Sequence, residues 1–271
     1  MRLRFWGVRG SVPTPGPATL EFGGNTPCLE LQGAGEDVIL FDAGTGIRPA
    51  GIDLLARAAG RPLRIHLLLS HFHWDHIQGL PFFTPLFRSN SHITIYSSGF
   101  SAALSEALHG QMSAPYFPVP FASVAARVDL VELGSRTATI GSVSVTPVEV
   151  NHPQGACAYS VESDGVRFLY APDREHGDAR LDAVLQEAAR GATVFVSDAQ
   201  YTPEEYEAHR GWGHTTWAES ARVAREAQVK SLVLFSHDPS HSDELLRRIE
   251  KDARREFADT FVAKEGWEFE L

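Results

Sequence analysis

The chain has 271 residues, of which 43% are hydrophobic and 21% are charged, and its formal net charge is −10. This composition is typical of a soluble globular protein and excludes disordered, fibrous and membrane-spanning classes, because no apolar run approaches the roughly 20 residues that cross a bilayer. The negative charge argues against a long nucleic acid as the main partner, since such binding draws on clustered Lys and Arg. The first residues lack the apolar core of a signal peptide, and two cysteines, Cys28 and Cys157, are too few for a disulfide framework, so we expect a cytoplasmic protein without membrane contact.

The first third of the chain predicts strands, one helix and a carboxylate at a strand end. The predicted strands are 2–6, 27–31, 37–41 and 63–69. A helix is expected over 47–59. Asp42 follows the third strand and opens a glycine-rich turn, so we interpret it as a brace for a neighbouring loop. The alternative is a cap on the helix that follows.

A dense group of metal-ligand residues lies at the end of the fourth strand. Residues 67–79 read LLLSHFHWDHIQG, which places His71, His73, Asp75 and His76 within six positions of one another. Imidazole nitrogens and carboxylate oxygens are ligands of divalent transition metals, and a short turn after a strand can direct several of them at one point. The segment therefore predicts a metal site; a histidine-rich surface loop is the alternative.

The next segments carry aromatic residues and further strands. Irregular structure with at most a short helix is expected over 77–90, a strand over 92–96 and a helix over 100–109. The proline-broken loop 111–121 contains Tyr116 and Phe117, which we consider candidates for stacking on a substrate base. Packing in the protein, or against a partner subunit, is the alternative.

The second half of the chain alternates strands with helices and has no convincing linker. The predicted strands are 128–133, 136–140, 143–150, 157–161, 166–170, 193–196, 230–235 and a weak one near 261. The predicted helices are 181–189, 204–210, 217–228 and 243–257. A hairpin turn is expected at Asp164 and Gly165.

Three more ligand-type residues follow strands of this half. His152, Asp173 and His237 each stand just beyond an apolar run. Together with the first group they make seven candidates, which is enough for two metal ions that share one carboxylate. Asp198 also ends a strand, and His214 lies in a glycine-rich segment before a helix.

The ordered set His-x-His-x-Asp-His, a later His, an Asp and a final His resembles the metallo-β-lactamase superfamily over most of the chain. The resemblance implies an αββα sandwich, in which two mixed β-sheets pack face to face with helices outside, and we expect one domain over 1–271. It also implies two divalent metal ions, with zinc and manganese expected first. The implied ligands are His71, His73 and His152 for one ion and Asp75, His76 and His237 for the other, with Asp173 bridging and Asp42 supporting the ligand loop.

Within the superfamily, the chain is most similar to the phosphodiesterase branch that contains the tRNA 3′-processing endonucleases and the cyclic-phosphate phosphodiesterases. The segments that carry this resemblance are Gly10-Ser11-Val12-Pro13, Phe41-Asp42-Ala43-Gly44-Thr45-Gly46, Gly213-His214-Thr215-Thr216 and Leu234-Phe235-Ser236-His237. In that branch a histidine placed like His214 assists the leaving group, and Asp198 is our candidate for the acidic residue behind it. His214, Asp198 and Asp75 are thus the candidate catalytic residues.

The resemblance predicts a dinuclear phosphodiesterase in which a metal-bridging hydroxide attacks phosphorus and His214 acts as general acid. We favour a small phosphodiester such as a cyclic nucleotide, because the tRNA-processing members carry a long arm between the positions of His152 and Asp173, where this chain has only a short hairpin. A tRNA 3′-processing-type endoribonuclease, a lactonase or thioesterase of the same fold, a one-iron dioxygenase and a metal-bound nucleotide sensor are the alternatives. Relatives of this kind often dimerise, so a homodimer is also expected.

Overall fold

The computed structural model of the protein describes residues 1–33, 35–100 and 103–271. The strands in these ranges are β1 (Arg2–Gly7), β2 (Cys28–Gln32), β3 (Val38–Phe41), β4 (Leu63–Leu69), β5 (Ser91–Ser97), β6 (Arg127–Glu132), β7 (Ala138–Ile140), β8 (Val143–Val150), β9 (Ala156–Ser163), β10 (Val166–Ala171), β11 (Val194–Asp198), β12 (Ser231–Phe235), β13 (Thr260–Val262) and β14 (Glu268–Glu270). The α-helices are α1 (Ile47–Ala58), α2 (Trp74–Ile77), α3 (Leu104–Gln111), α4 (Ala179–Ala189), α5 (Pro203–His209), α6 (Trp217–Glu226) and α7 (Asp243–Glu256).

The strands form two seven-stranded mixed sheets. The first has the order β14-β1-β2-β3-β4-β5-β6 and the second the order β13-β12-β11-β10-β9-β8-β7. In the first sheet β3, β4, β5 and β6 run parallel, and in the second β10, β11, β12 and β13 do so. The remaining neighbours in both sheets pair antiparallel.

Three apolar layers hold the sandwich together. The layer between the sheets joins side chains of both, such as Phe41 of the first sheet and Tyr159 and Phe168 of the second. The other two layers lie outside the sheets: α1 and α3 cover the first sheet, and α4, α6 and α7 cover the second. The order helix, sheet, sheet, helix confirms the predicted αββα sandwich, because each sheet buries one face against the other and one against helices.

The carboxyl ends of the parallel strands collect the polar residues of the site. In the first sheet β3 leads into Asp42 and β4 into Ser70 and His71. In the second sheet β10 leads into Asp173, and β12 leads into Ser236 and His237. Hydrogen bonds join the two sheets at this edge: the N–H of Cys157, at the start of β9, donates to the carbonyl of Ser70, and the hydroxyl of Tyr170 in β10 donates to Asp42. A ligand site at such an edge is the general expectation for parallel strands.

Most predicted elements are present with ends shifted by a few residues. The predicted helix 100–109 is observed as α3 (Leu104–Gln111), and residues 101 and 102 lie outside the described ranges. The region 77–90 contains two short 3₁₀ helices. Sequence reasoning missed α2 and the three-residue edge strand β14, because neither is long enough to show a period. Across the described ranges, none of the helices combines the length and the apolar character that crossing a membrane requires.

Candidate metal centre and active site

The turn after β4 brings the first histidines together because two loops approach each other closely. A Cβ atom on Gly44 would lie 2.4 Å from the carbonyl oxygen of Asp75. A Cβ atom on Gly79 would lie 2.0 Å from the carbonyl oxygen of Gly44. Both distances are shorter than any allowed contact, so only glycine permits the Asp42 loop to lie against α2 at these points.

A first cluster is formed by His71, His73 and His152. Their imidazole rings lie 4.6 to 4.8 Å apart between centroids. The Nδ1 atom of His152 donates to the carbonyl of Gly213 at 2.7 Å, so in a neutral ring Nε2 carries a lone pair. The Nε2 atom of His73 donates to the Oε1 atom of Gln154 at 2.9 Å, so the Nδ1 atom of His73 carries the second lone pair.

These two lone pairs face each other at 3.0 Å, between Nε2 of His152 and Nδ1 of His73. The Nε2 atom of His71 is buried and has no hydrogen-bond partner among the described residues. Burial lowers the pKa of His71 well below its ordinary value and that of His152 to about 4, so both rings are neutral at pH 7. Imidazole nitrogens whose lone pairs face one another fit a cation.

A second cluster lies beside the first and contains His76, Asp75 and Asp173. The Nε2 atom of His76 is 3.3 Å from Oδ2 of Asp75 and 3.2 Å from Oδ1 of Asp173. Burial alone would lower the pKa of His76, but the carboxylates of Asp173, Asp75 and Asp42 outweigh it and raise that pKa well above its ordinary value. The carboxylates therefore favour a positive charge at Nε2, which is where a metal ion would take the place of the proton.

Asp173, a member of the second cluster, also faces the first cluster. Its Oδ2 atom is 3.7 Å from Nε2 of His71 and 4.0 Å from Nε2 of His152, while its Oδ1 atom faces His76. One oxygen thus faces each cluster. The donor set of imidazole nitrogens and carboxylate oxygens is suited to metal binding.

Asp42 holds His76 and Ser70 from behind. Its Oδ2 atom is 2.9 Å from Nδ1 of His76 and accepts a bond of the same length from the hydroxyl of Tyr170. Its Oδ1 atom accepts from the backbone N–H of Ser70 at 2.8 Å. The carboxylate fixes Nδ1 of His76 as a donor and so leaves Nε2 for the cluster. Helix α1 begins without a side-chain cap, so Asp42 does not cap it.

His214 and Asp198 form a buried pair at the edge of the clusters. The Nδ1 atom of His214 is 2.6 Å from Oδ2 of Asp198, and its Nε2 atom is 3.8 Å from Oδ2 of Asp173. Burial opposes the charge on His214, but Asp198 and Asp173 outweigh it and raise its pKa to about 9. The ring is therefore an imidazolium at pH 7 and can give up a proton from Nε2.

Glu175 fixes the loop that carries His214, and sequence reasoning missed it. Its Oε1 atom accepts from the N–H of Gly211 at 2.6 Å, and its Oε2 atom accepts from the N–H of Gly213 at 2.9 Å. The carbonyl of Gly213 is the acceptor that orients His152. Gly213 has φ +91°, and a Cβ there would lie 2.5 Å from Nδ1 of His152. The only available signal was a carboxylate two residues after Asp173.

His237 does not join either cluster. It is buried, and its Nε2 atom lies 2.8 Å from the carbonyl of Ala263, to which it donates. Nδ1 is therefore the only ring nitrogen that remains for a metal ion. The groups of potential ligand atoms within 4.8 Å of one another in the described residues do not include His237. Its role as a ligand stays a prediction.

A cavity of about 450 Å³ opens over the clusters. Its lining residues are Ser11, His73, Asp75, Asp173, Gln200, Tyr201, His209, Trp212, His214, Asp238, Pro239 and Ser240. Tyr116 and Phe117 are not among them: the ring of Phe117 contacts Phe82, and Tyr116 is exposed. The candidate aromatic contacts with substrate are therefore not at this cavity, because the loop 111–121 packs elsewhere. The aromatic wall is made instead by Tyr201, His209 and Trp212, which we did not predict.

The sequence profile of the beta-lactamase superfamily domain matches residues 38–237, which contain the whole ligand motif, His152, Asp173 and His214. This chain belongs to the beta-lactamase superfamily. With the histidine and aspartate clusters described above, this superfamily member is a metal-dependent hydrolase.

Two relatives with the name Ribonuclease Z align over the full length of the chain. Ribonuclease Z of Thermoplasma acidophilum is 25% identical over 323 aligned positions, which cover 100% of the chain and 96% of the relative. Ribonuclease Z of Haloferax volcanii is 27% identical over 322 aligned positions, which cover 100% of the chain and 95% of the relative. Because these alignments are longer than the 271-residue chain, the relatives contain segments that it lacks.

Solved structures share the metallo-β-lactamase fold. The metallo-β-lactamase fold protein YhfI of Bacillus subtilis superposes with a TM-score of 0.74 at 18% identity, covering 100% of this chain and 99% of that chain. The short form of human tRNase Z superposes with a TM-score of 0.68 at 16% identity, covering 100% of this chain and 99% of that chain. Zinc-bound PqqB of Methylobacterium extorquens superposes with a TM-score of 0.70 at 17% identity, covering 100% of both chains.

Two expectations are wrong in the light of these relatives. A cyclic nucleotide was the expected substrate and a long nucleic acid was not expected, whereas the full-length relatives are ribonucleases. The net charge misled because it sums the whole surface and says nothing about the field inside a metal-binding cavity. The short hairpin is real, since Ser163 pairs with Val166 across the turn, but it does not determine the substrate class.

Proposed function

We propose that this protein is an endoribonuclease of the tRNA 3′-processing type, which hydrolyses one phosphodiester bond of a precursor RNA. The observation that carries the proposal is the full-length similarity to Ribonuclease Z from two organisms. The His214–Asp198 pair at 2.6 Å is consistent with it, because cleavage of an RNA strand releases an alkoxide that must gain a proton.

The metal ions of this proposal are two divalent ions, with zinc or manganese as candidates. His71, His73 and His152 would hold one, Asp75 and His76 the other, and Asp173 would lie between them; His237 could contribute only through Nδ1. Bound there, the ions polarise the phosphate and lower the pKa of water. The facing lone pairs of His73 and His152 and the unpartnered Nε2 atoms of His71 and His76 are the features of this chain that suit them.

The side chains of the cavity divide the remaining tasks. The carboxylate of Asp75, held by the N–H of Ser11 at 2.8 Å, lines the cavity and can accept the proton that the attacking water loses. His214 faces the same cavity and donates a proton from Nε2 to the leaving oxygen, while Asp198 keeps its ring oriented and charged. No side-chain nucleophile is needed, because water attacks phosphorus directly.

The test is cleavage of a precursor tRNA that carries a 3′ trailer, by protein loaded separately with zinc and with manganese. We expect one cut at the junction of tRNA and trailer, loss of cleavage after chelation and recovery on adding metal. Bis(4-nitrophenyl) phosphate serves as a small diester that reports whether the metal site works. Turnover of this diester by metal-loaded protein that leaves the precursor intact would contradict the proposal.

A further inference from the structure

The cavity offers a nucleic acid neither Lys nor Arg among the described residues. His214 and the carboxylates of Asp75, Asp173 and Asp238 line it instead. Inside the cavity, contacts of Lys and Arg with phosphates, which supply most of the affinity of many nucleic-acid-binding proteins, therefore contribute little. Stacking of bases on aromatic rings is the other general source of affinity for single strands.

The cavity has an aromatic wall that could supply such stacking. The ring of Tyr201, only 1% exposed, stacks on the ring of His209 with centroids 4.5 Å apart and planes at 18°. His209 in turn meets the ring of Trp212 edge to face, at 4.9 Å and 89°. Trp212 is 63% exposed. The wall is thus anchored in the protein at one end and presents a large open indole at the other.

The backbone on both sides of Trp212 is fixed. The N–H groups of its neighbours, Gly211 and Gly213, both donate to the carboxylate of Glu175. The N–H of Trp212 itself donates to the carbonyl of His209 at 3.0 Å. An exposed aromatic side chain on a constrained backbone loses little entropy when a ligand binds, which is how preorganised sites gain affinity. A single exposed tryptophan can be incidental, but this one lies on the cavity of the metal centre.

We propose that Trp212 is the surface on which one base next to the scissile phosphate stacks. Trp212 is two residues before His214 in the same loop, and both line one cavity. Since His214 faces the leaving oxygen, the stacked base belongs to the nucleotide that carries this oxygen. This assignment rests on the proposed endoribonuclease function and makes Trp212 a specificity-determining residue for it.

The experiment compares kcat/KM of the metal-loaded enzyme and its variants on three precursor RNAs. One is unmodified, one lacks the base of the nucleotide that carries the leaving oxygen, and one lacks the base across the scissile phosphate. We expect Trp212→Ala to lower kcat/KM for the unmodified RNA about tenfold, and Trp212→Phe to retain most of it. On the RNA without the leaving-side base, Trp212→Ala and the wild type should be equal. On the third RNA the tenfold difference should persist.

The comparison on the RNA without the leaving-side base also shows whether the variant is folded, because Trp212→Ala must cleave this RNA as fast as the wild type does. Phe82→Ala is the matched control: Phe82 is 57% exposed and does not line the cavity, so its removal should change none of the three rates. Equal loss by Trp212→Ala on all three RNAs would overturn the inference, as would a base-dependent loss in Tyr116→Ala but not in Trp212→Ala. If the wild type cleaves no precursor, the proposed function itself fails, and the two failures are distinguished.

Discussion

At the scale of single residues, the imidazole of His214 is held between two carboxylates that contact different nitrogens. Asp198 is 2.6 Å from Nδ1, while Asp173 is 3.8 Å from Nε2. The short contact fixes the ring, and the longer one leaves room for a reacting group at Nε2. The ligand atoms of Asp173, Asp198 and His214 also lie within 4.8 Å of one another, so the role of His214 must be tested together with the metal content.

The first prediction concerns the role of His214. His214→Ala should lower kcat by about 10² to 10⁴-fold, which is the usual range for a lost general acid, and should leave the metal content unchanged. Metal analysis of the purified protein with turnover of precursor RNA measures both. Loss of metal in this variant would show that His214 is a ligand and that the assigned role is wrong.

The second prediction concerns Asp173, which has one oxygen toward each cluster. Asp173→Ala should lower the affinity for both metal ions, since among the described residues it removes the only carboxylate that faces His71, His152 and His76 together. Titration with a chelator of known affinity measures this, and Asp198→Ala provides the comparison, because Asp198 lies behind His214. An unchanged affinity for both ions would remove Asp173 from the bridging position.

At the scale of elements, the segment 211–214 links residues at the ends of β8, β10 and β11 in the second sheet. It follows α5 and donates two hydrogen bonds, from the N–H groups of Gly211 and Gly213, to the carboxylate of Glu175 after β10. The carbonyl of Gly213 orients His152 after β8. One short loop thus positions His152, His214 and the aromatic wall. Parallel strands β10 and β11 provide its support, because their carboxyl ends lie side by side and carry Asp173 and Asp198.

The third prediction tests Glu175 as a positioning residue. Glu175→Gln replaces one accepting oxygen by an NH₂ group that faces a backbone N–H, so the loop must shift. We expect a loss of about 10 to 100-fold in kcat or metal affinity, as is usual for residues that orient metal ligands. The free energy of unfolding should fall by about 1 to 3 kcal/mol.

Glu265→Gln is the matched control for this prediction. Glu265 also accepts from a loop, through the N–H and the side-chain amide of Asn25, but it does not contact the clusters. It should lose similar stability and keep its kcat and metal affinity. If Glu175→Gln and Glu265→Gln behave alike in activity and metal titrations, Glu175 has only a structural role.

At the scale of the whole molecule, the metal centre spans the interface between the sheets. His71, His73 and His76 follow β4 of the first sheet, whereas His152 and Asp173 follow β8 and β10 of the second. A metal ion bound by both groups links the two halves of the sandwich at one edge. The expectation of one domain over the whole chain, and that of a homodimer, stay predictions.

The fourth prediction follows from this link. Free metal at about a thousand times its Kd should stabilise the folded protein by about 4 kcal/mol, which corresponds to a rise in Tm of about 10 °C for a chain of this size. Thermal unfolding followed with and without chelator measures the shift. An unchanged Tm would mean that the ions do not bind the folded protein in preference to the unfolded chain.

The fifth prediction concerns salt. Because neither Lys nor Arg lines the cavity in the described residues, few counterions are released when RNA enters it. We expect log(1/KM) against log[salt] to have a slope of about −1 or shallower. A slope of about −5 would instead reveal a basic RNA-binding surface outside the cavity.

The sequence by itself predicted the strands and the location of the ligand-type residues at strand ends, while the two mixed sheets were expected from the resemblance to the metallo-β-lactamase superfamily. It could do so because strand periodicity is local and because each ligand stands within a few positions of the apolar run that delivers it, as His71 does after β4. The bracing of Asp42 against His76 was likewise foreseeable, since both follow neighbouring parallel strands.

Only the tertiary structure decided the features that depend on residues far apart in the chain. Three such features leave no period or motif in the sequence. They are the two hydrogen bonds that the N–H groups of Gly211 and Gly213 donate to Glu175, the bond that His237 donates to the carbonyl of Ala263, and the aromatic wall of Tyr201, His209 and Trp212. The expected substrate class, by contrast, was corrected by the full-length similarity to Ribonuclease Z and not by the fold. Composition and net charge average over the surface, whereas recognition depends on which few side chains the fold places around one cavity.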